Sequence, residues 1–453
     1  MRTILLICIA LWFCGGRIGA RQPLSLNEAV CRSLAHKPSL QVLWLQTRQQ
    51  QLSEKEAQAR WWPEISFAYD YRYNPIVATT IIPIGQFDIN NPTNTVRGIK
   101  MGTKWQQNGG FSISQPLIDW SVIRNVKRAR LATELASTEQ KIGRDALIYE
   151  TARSYLNICR YEQLTGVALN DTLRTATNLR EQQLRYQNEQ LLVSDLNRAL
   201  INHNDALNRW QNSLTDLIAE KLYLAFLTGI PNDSMLLHVR FQPESIALLR
   251  EYMATSAQPD SLPELRKQEI EQRIAVEDLR IAKSRNIPTL SLEGFIGANQ
   301  YNDCLSPFER DTWYGSSYVG ISVKIPILYQ ENFRARNHRI RLDAEIHALQ
   351  QKETRERYHT DAMIALQRSK NLQREIDRIE NNRTLEAEVL RVLSKRFSEQ
   401  RASAFELNLE ELEYLKMQQS LQEKYTEQIL QSLDYLKNTG LLYLLQSPLQ
   451  PQE

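Results

Sequence analysis

Polar and apolar residues alternate along this chain in two contrasting rhythms. From Ile65, the positions Ile65, Phe67, Tyr69, Tyr71 and Tyr73 alternate with Ser66, Ala68, Asp70 and Arg72. This period of two marks a strand with one apolar-aromatic and one polar face. The same rhythm predicts strands over 105–115, 289–297 and 313–325. In the last, Val319, Ile321, Val323 and Ile325 alternate with Tyr318, Gly320, Ser322 and Lys324. Elsewhere apolar residues recur at helical spacing in narrow stripes, such as Leu372, Ile376 and Ile379, then Val389, Leu393 and Phe397. Arg, Glu, Gln and Asn fill the remainder. Such seams suit coiled-coil pairing, with the rest of each helix in water.

The breakers separate the two rhythms. Of 16 prolines, none lies between Pro116 and Pro231 or between Pro326 and Pro448, while Pro63, Pro75, Pro83, Pro92 and Pro116 crowd together. Each proline-free tract is predicted to fold back once, near 187–194 and 398–404, giving helical hairpins over 118–229 and 331–440. The stretch from Trp120 to Tyr186 would extend roughly 100 Å as one helix, more than a compact domain holds. A further helix is expected over 26–61, with Ser25 as N-cap, Glu28 completing a capping box, and Pro63 ending it. The segments joining each strand pair, 74–104 and 298–312, are expected to be Pro/Asn/Gly-rich loops.

The chain is also written twice. Pro38 and Pro63 bracket a helical segment, as do Pro263 and Pro288, both pairs at an offset of 225. Phe111–Leu117 aligns with Ile321–Ile327 at 210, and Arg185-Tyr186, Asp195-Leu196 and Thr228-Gly229 align with Arg396-Phe397, Glu406-Leu407 and Thr439-Gly440 at 211. Order and near-constant offset indicate duplication. The expected organisation is a signal peptide (1–20), a first repeat (21–230), an inter-repeat segment (231–262), a second repeat (263–440) and a C-terminal tail (441–453). In the signal, Arg2 precedes the apolar run Ile4–Phe13 and Gly19-Ala20 offers a cleavage site. Cys14 raises acylation as an alternative, although Trp12 and Phe13 are bulky for a lipobox. Cleavage would leave Cys31, Cys159 and Cys304, too few and too scattered for a disulfide framework.

Composition narrows the classes. With 55 Lys+Arg against 52 Asp+Glu, nothing points to a nucleic-acid partner. A mean hydropathy of −0.45 and no long apolar window past residue 20 exclude a polytopic helical membrane protein. Strands of about 9–11 residues, apolar on one side, instead suit an outer-membrane barrel. Trp61, Trp62 and Trp120 flank the strands at one end, and Tyr301, Phe308, Trp313 and Tyr314 at the other, as interfacial girdles would. Ile65, Phe67, Tyr69, Tyr71, Phe111, Ile113, Leu290, Leu292, Val319, Ile321 and Val323 are the expected lipid-facing residues. Four strands cannot close a barrel, since about eight are needed, and an open edge in lipid would leave backbone groups unsatisfied. Several chains would therefore share one. The alternative is an exported coiled-coil scaffold or adhesin with a soluble β cap. For an enzyme there is no support: the six His form no metal-ligand spacing and no phosphate loop is present. No catalytic, cofactor or metal residues are expected.

On these residues the chain resembles the TolC family of outer-membrane channel-tunnel proteins. The resemblance rests on Leu24-Ser25-Leu26-Asn27-Glu28-Ala29, the passage Trp61-Trp62-Pro63-Glu64-Ile65-Ser66, the strand exits at Pro116 and Pro326, and the helix ends at Gly229 and Gly440. It implies a mainly helical fold with long antiparallel hairpins and four transmembrane strands per chain, contributing to a homotrimeric 12-stranded barrel in the outer membrane and a tunnel into the periplasm. It further implies a passive efflux or type I secretion duct, partnered by a periplasmic adaptor and an inner-membrane pump or ABC exporter. The implied adaptor-docking residues are Glu189, Gln190, Leu191, Leu192, Gln400, Ala402 and Ser403 at the hairpin tips. Glu189 and Gln400 stand where the family carries Gly. Asp195 and Glu406 match constriction positions, with Phe397 as a hydrophobic gate and Arg401 or Arg396 as ion-pair partner. Read without the resemblance, Asp195 and Glu406 are equally helix-start acids favoured by the dipole. The run Arg334, Arg336, Arg339 and Arg341 reads as a solvated helix face.

Overall fold

The computed structural model describes residues 24–83, 94–230, 262–306, 309–327, 333–399 and 401–446. The elements run α1 (Leu26–His36), α2 (Pro38–Ala59), β1 (Glu64–Tyr73), β2 (Thr79–Ile82), β3 (Arg97–Lys100), β4 (Trp105–Ile118), α3 (Trp120–Gln187) and α4 (Val193–Thr228). Then follow α5 (Pro263–Ser284), β5 (Thr289–Asn302), β6 (Trp313–Lys324), α6 (Phe333–Ser398) and α7 (Ala404–Thr439), with short 3-10 turns at Arg310–Thr312 and Leu442–Gln446. Helix, paired strands and a long helical hairpin thus occur twice in one order. The signal peptide, most of the inter-repeat segment, and the tail beyond 446 lie outside the described residues.

Four expectations are corrected. The first helix is broken: Lys37 is extended (φ −72°, ψ 118°) because the proline after it disfavours the α region. Pro38 then opens α2, where its missing N–H has no intrahelical partner to lose. The capping box at α1 is half made. Glu28 N–H donates to Ser25 Oγ at 3.2 Å, while the Glu28 carboxylate instead pairs with Arg32 at 2.7 Å. The segment 74–104 is not merely a loop, because β2 and β3 pair antiparallel there from Thr79↔Lys100 to Ile82↔Arg97. Finally, β4 runs through Pro116 to Ile118 and β5 continues to Asn302. Pro116 is tolerated because β1 stops pairing with β4 at Ser114 and a register irregularity follows between Pro116 and Ile118.

The chain forms two compact units that cut across the repeats. One draws on residues up to 46, 137–268 and 349 onward. Its core joins Leu26, Ala29 and Val30 of α1 to Ile148, Tyr155 and Ile158 of α3, Leu224 of α4, and Leu433 and Leu436 of α7. Tyr155 donates from this core to the Leu24 carbonyl at 3.1 Å. Both hairpins end here on left-handed glycines, Gly229 (φ 69°) and Gly440 (φ 74°). A side chain at Gly229 would also crowd the His36 Cβ at 3.1 Å. Further along, α6 and α7 pair through buried Leu372, Ile376 and Leu421, flanked by Gln428–Gln373 (2.9 Å) and Lys424–Glu375 (3.3 Å) contacts. The second unit, 47–136 and 269–348, holds the sheet and the helical ends that enter and leave it.

Candidate functional site

The sheet has the order β1-β4-β5-β6, antiparallel throughout. Residues directly opposite across an antiparallel pair share a face. The register therefore aligns Ile65, Ile113, Gly294 and Val319 in one row. Phe67, Phe111 and Ile296 form the next, with Leu292 and Ile321, then Leu290 and Val323, on the other side. All the residues expected to meet lipid lie on this one face. It is uncovered in the single chain, with Phe67 61% and Val319 81% exposed. The opposite face carries Ser66, Asp70, Arg72, Ser112, Asn108 and Asn299, together with the ring pairs Phe295–Tyr318 and Tyr301–Tyr314.

Beyond Tyr69 the apolar face gives way to polar groups. Gln107 accepts from the Tyr69 hydroxyl, and buried Gln300 donates to the Ser306 carbonyl (2.8 Å) and Thr312 Oγ1 (2.6 Å). Trp105 packs against Tyr71 (5.2 Å) and Tyr73 (4.4 Å) at this end. Strands β4 and β5 approach closely at Gly297, where an added Cβ would meet the Gly109 carbonyl at 2.5 Å. β1 and β6 each keep one edge unpaired among the described residues.

The hairpin ends differ from one another. In the first, Gln190 N–H donates to the Arg185 carbonyl (2.9 Å) and Glu189 N–H to that of Tyr186 (3.0 Å), closing α3. Glu189 has φ 57°, the only positive φ of a non-glycine among the described residues. Glycine adopts that conformation without steric cost, whereas the Glu189 side chain strains it. Leu192 caps α4 with no side-chain bond and is 72% exposed, beside exposed Val193. The second end is polar. Ser403 and Glu406 form a full capping box at 3.0 and 3.1 Å, and Arg401 pairs with Glu399 at 3.5 Å. Phe397 is half-buried, Ala402 likewise, and Gln400 lies outside the described residues.

Of the residues singled out in the sequence, the structure brings Leu191 and Asp195 together. They line a cleft of about 620 Å³ between α3, α4 and α7 with Arg185, Arg198 and Leu409. Two further lining residues, Arg174 and Arg209, belong to a network that the sequence alone did not reveal. Buried Asp171 accepts from Arg174 (3.0 Å) and from Arg209 of α4 (2.8 Å), and Arg174 reaches Glu411 of α7 at 3.2 Å. One arginine therefore ties the first hairpin to the second. Asp171 and Arg174 stand three apart on one helix face and are legible as a pair. Nothing in the sequence places Glu411 against them. Glu406, Phe397 and Arg401 do not line this cleft. Among the described residues no His/Cys/Asp/Glu group could hold a metal ion, and no helix is long and apolar enough to cross a membrane.

No family model and no curated protein matches the sequence. Solved structures do. The chain is similar to the outer membrane protein VceC of Vibrio cholerae, at a TM-score of 0.71 and 15% identity over 92% of this chain and 96% of that one. It is also similar to the outer membrane channel CmeC of Campylobacter jejuni, at 0.72 and 13% over 92% and 85%. A third is the outer membrane channel MtrE of Neisseria gonorrhoeae, at 0.67 and 15% over 92% and 88%. With sequence identity this low the likeness is one of backbone architecture, and by it the chain has the fold of the TolC-family outer-membrane channels.

Proposed function

We propose that this chain is one-third of an outer-membrane exit duct that extends into the periplasm and conducts solutes passively from an inner-membrane pump. The observation that carries this reading is the sheet, with one largely apolar uncovered face, an opposite face that is mostly polar, and two open edges. From Leu290 to Ala298 that face runs roughly 27 Å along the strand, or about 20 Å at a barrel's tilt, close to the apolar band of such barrels. The open edges are satisfied when β6 of one copy pairs with β1 of the next, and three copies give twelve strands. A soluble β cap would leave the same face in water, where a contiguous apolar patch is a liability.

At the hairpin ends, Asp195 and Glu406 become rings of carboxylates in the trimer, with Phe397 and Arg401 near them, and a narrow acidic ring favours cations. Leu191, Leu192, Glu189, Gln190, Ala402 and Ser403 form the surface offered to an adaptor. The duct performs no chemistry of its own.

The test is purification from outer-membrane fractions followed by planar-bilayer recording. A detergent-extracted, heat-resistant trimer that conducts is expected, and Asp195→Asn with Glu406→Gln should lower its preference for cations. A monodisperse monomer soluble without detergent would refute the duct.

A further inference from the structure

The two helices that leave the sheet begin with charge of the wrong sign for a helix start. α1, α4, α5 and α7 each carry an acid in the first turn, as the helix dipole favours. α3 and α6 carry none, as does α2, but only α3 and α6 follow with a dense run of bases. Between Trp120 and Arg130 stand Arg124, Lys127, Arg128 and Arg130 with no acid among them. Between Phe333 and Arg341 stand Arg334, Arg336, Arg339 and Arg341, with His338 and again no acid. Asp119 caps α3, its Oδ1 accepting from Ser121 N–H at 2.7 Å, but it is one charge against four. The chain as a whole is nearly neutral. The basic cluster is thus local, and it occurs in both repeats at the same place, where the long helix leaves its strand.

Partners inside the unit account for only part of it. Arg124 pairs with Glu277 at 3.5 Å and Arg128 with Asp278 at 2.6 Å, both on α5. Lys127, Arg130, Arg334, Arg336, Arg339 and Arg341 are exposed and make no hydrogen bond or ion pair among the described residues. All six lie within about 18 Å of the helix starts by rise alone, so they stand just beyond the apolar sheet face. A dense, unpaired, dipole-opposed set of bases next to a membrane-spanning band has one complementary surface at that depth. Clusters of 4–8 Lys/Arg beside a span attract anionic headgroups within a Debye length.

We infer that these six residues form a basic collar that binds anionic phospholipid headgroups of the leaflet at the helical end of the barrel, fixing the depth and orientation of the duct. The inference rests on the sheet's apolar face being the lipid-facing one. Arg124 and Arg128, already paired, hold α3 to α5 and leave the collar free for lipid.

The experiment uses the full-length trimer reconstituted in vesicles of phosphatidylcholine with 30% phosphatidylglycerol. After gentle detergent extraction, co-purifying lipid is measured by native mass spectrometry. Wild type should retain phosphatidylglycerol over phosphatidylcholine by about five-fold or more. Replacing all six by Gln should abolish the preference, and replacing the five arginines by Lys with Lys127 kept should retain it, since headgroup attraction needs charge rather than the guanidinium fork. Undiminished preference in the Gln variant overturns the collar. So does a Gln variant whose lipid retention is unchanged while its ion selectivity shifts, because the bases would then face the conducted solutes. Insertion of wild type without preference refutes the collar alone, whereas failure of wild type to insert refutes the duct reading and the collar with it.

Discussion

A single backbone angle carries the most local lesson. Glu189 holds a left-handed conformation that closes α3, and a Cβ there costs about 1–2 kcal/mol that glycine avoids. Part of that gain is offset by the greater freedom of glycine when the turn opens. Glu189→Gly is therefore expected to slow amide exchange at 185–190 by about five-fold, near 1 kcal/mol. Faster exchange would show that the turn is held by something other than its dihedral. Asp145 offers a second residue-scale test. It lines a cleft of about 420 Å³ with Tyr149, Arg153, Glu264 and Lys437. Burial, and then the nearby charge of Glu264, push its carboxyl up to about 6, while Arg144 acts in the opposite sense. The folded value exceeds the unfolded one, so the protonated form favours folding. That contribution is fully present below about pH 4 and is lost as pH rises through about 6. Asp145→Asn should raise stability near pH 7.5 by about 1 kcal/mol, discounted for the solvent that reaches the site, and change little near pH 4. A melting-temperature comparison at the two pH values decides it.

At the scale of elements, the contacts that matter join segments far apart in sequence. Asp171 is enclosed and serves two arginines, whereas Arg209 remains half exposed. Removing the buried carboxylate charge should cost about 2–3 kcal/mol, and Arg209→Gln less than about 1. Equal losses in thermal melts would mean that the network is not organised around Asp171. In the sheet, Gly297→Val should prevent β4 and β5 from closing, because its Cβ would meet a backbone carbonyl rather than a yielding side chain. The expected result is loss of heat-resistant trimer on unboiled gels. Period-two alternation made every strand of the four-stranded sheet visible in the sequence, and the proline gaps marked both hairpins. The strand ends were less legible. β5 reaches Asn302 where the Gln300 side-chain amide donates to Ser306, Glu309 and Thr312, a partnership that no periodicity announces. β2 and β3 were missed because four-residue strands are too short for alternation to stand out.

At the scale of the whole molecule, amino-acid pattern alone determined the duplication, the alternation of helix and strand, and the choice of residues for the apolar face. Those are local properties, set by side-chain period and by where proline can stand. The proposal that several chains share one barrel rests on counting four strands against the closure of a barrel. Tertiary structure decided the rest. It set the order β1-β4-β5-β6 and the register that gathers Ile65, Ile113 and Val319 into one row. It showed that Glu406 is engaged in a capping box while Asp195 lines a cleft with Arg174, Arg198 and Arg209. It also left Lys127 and Arg130 of α3 and Arg334, Arg336, Arg339 and Arg341 of α6 without hydrogen bonds or ion pairs among the described residues. These outcomes depend on which segments meet across tens or hundreds of residues, and hydrophobic period carries no information about which seam pairs with which.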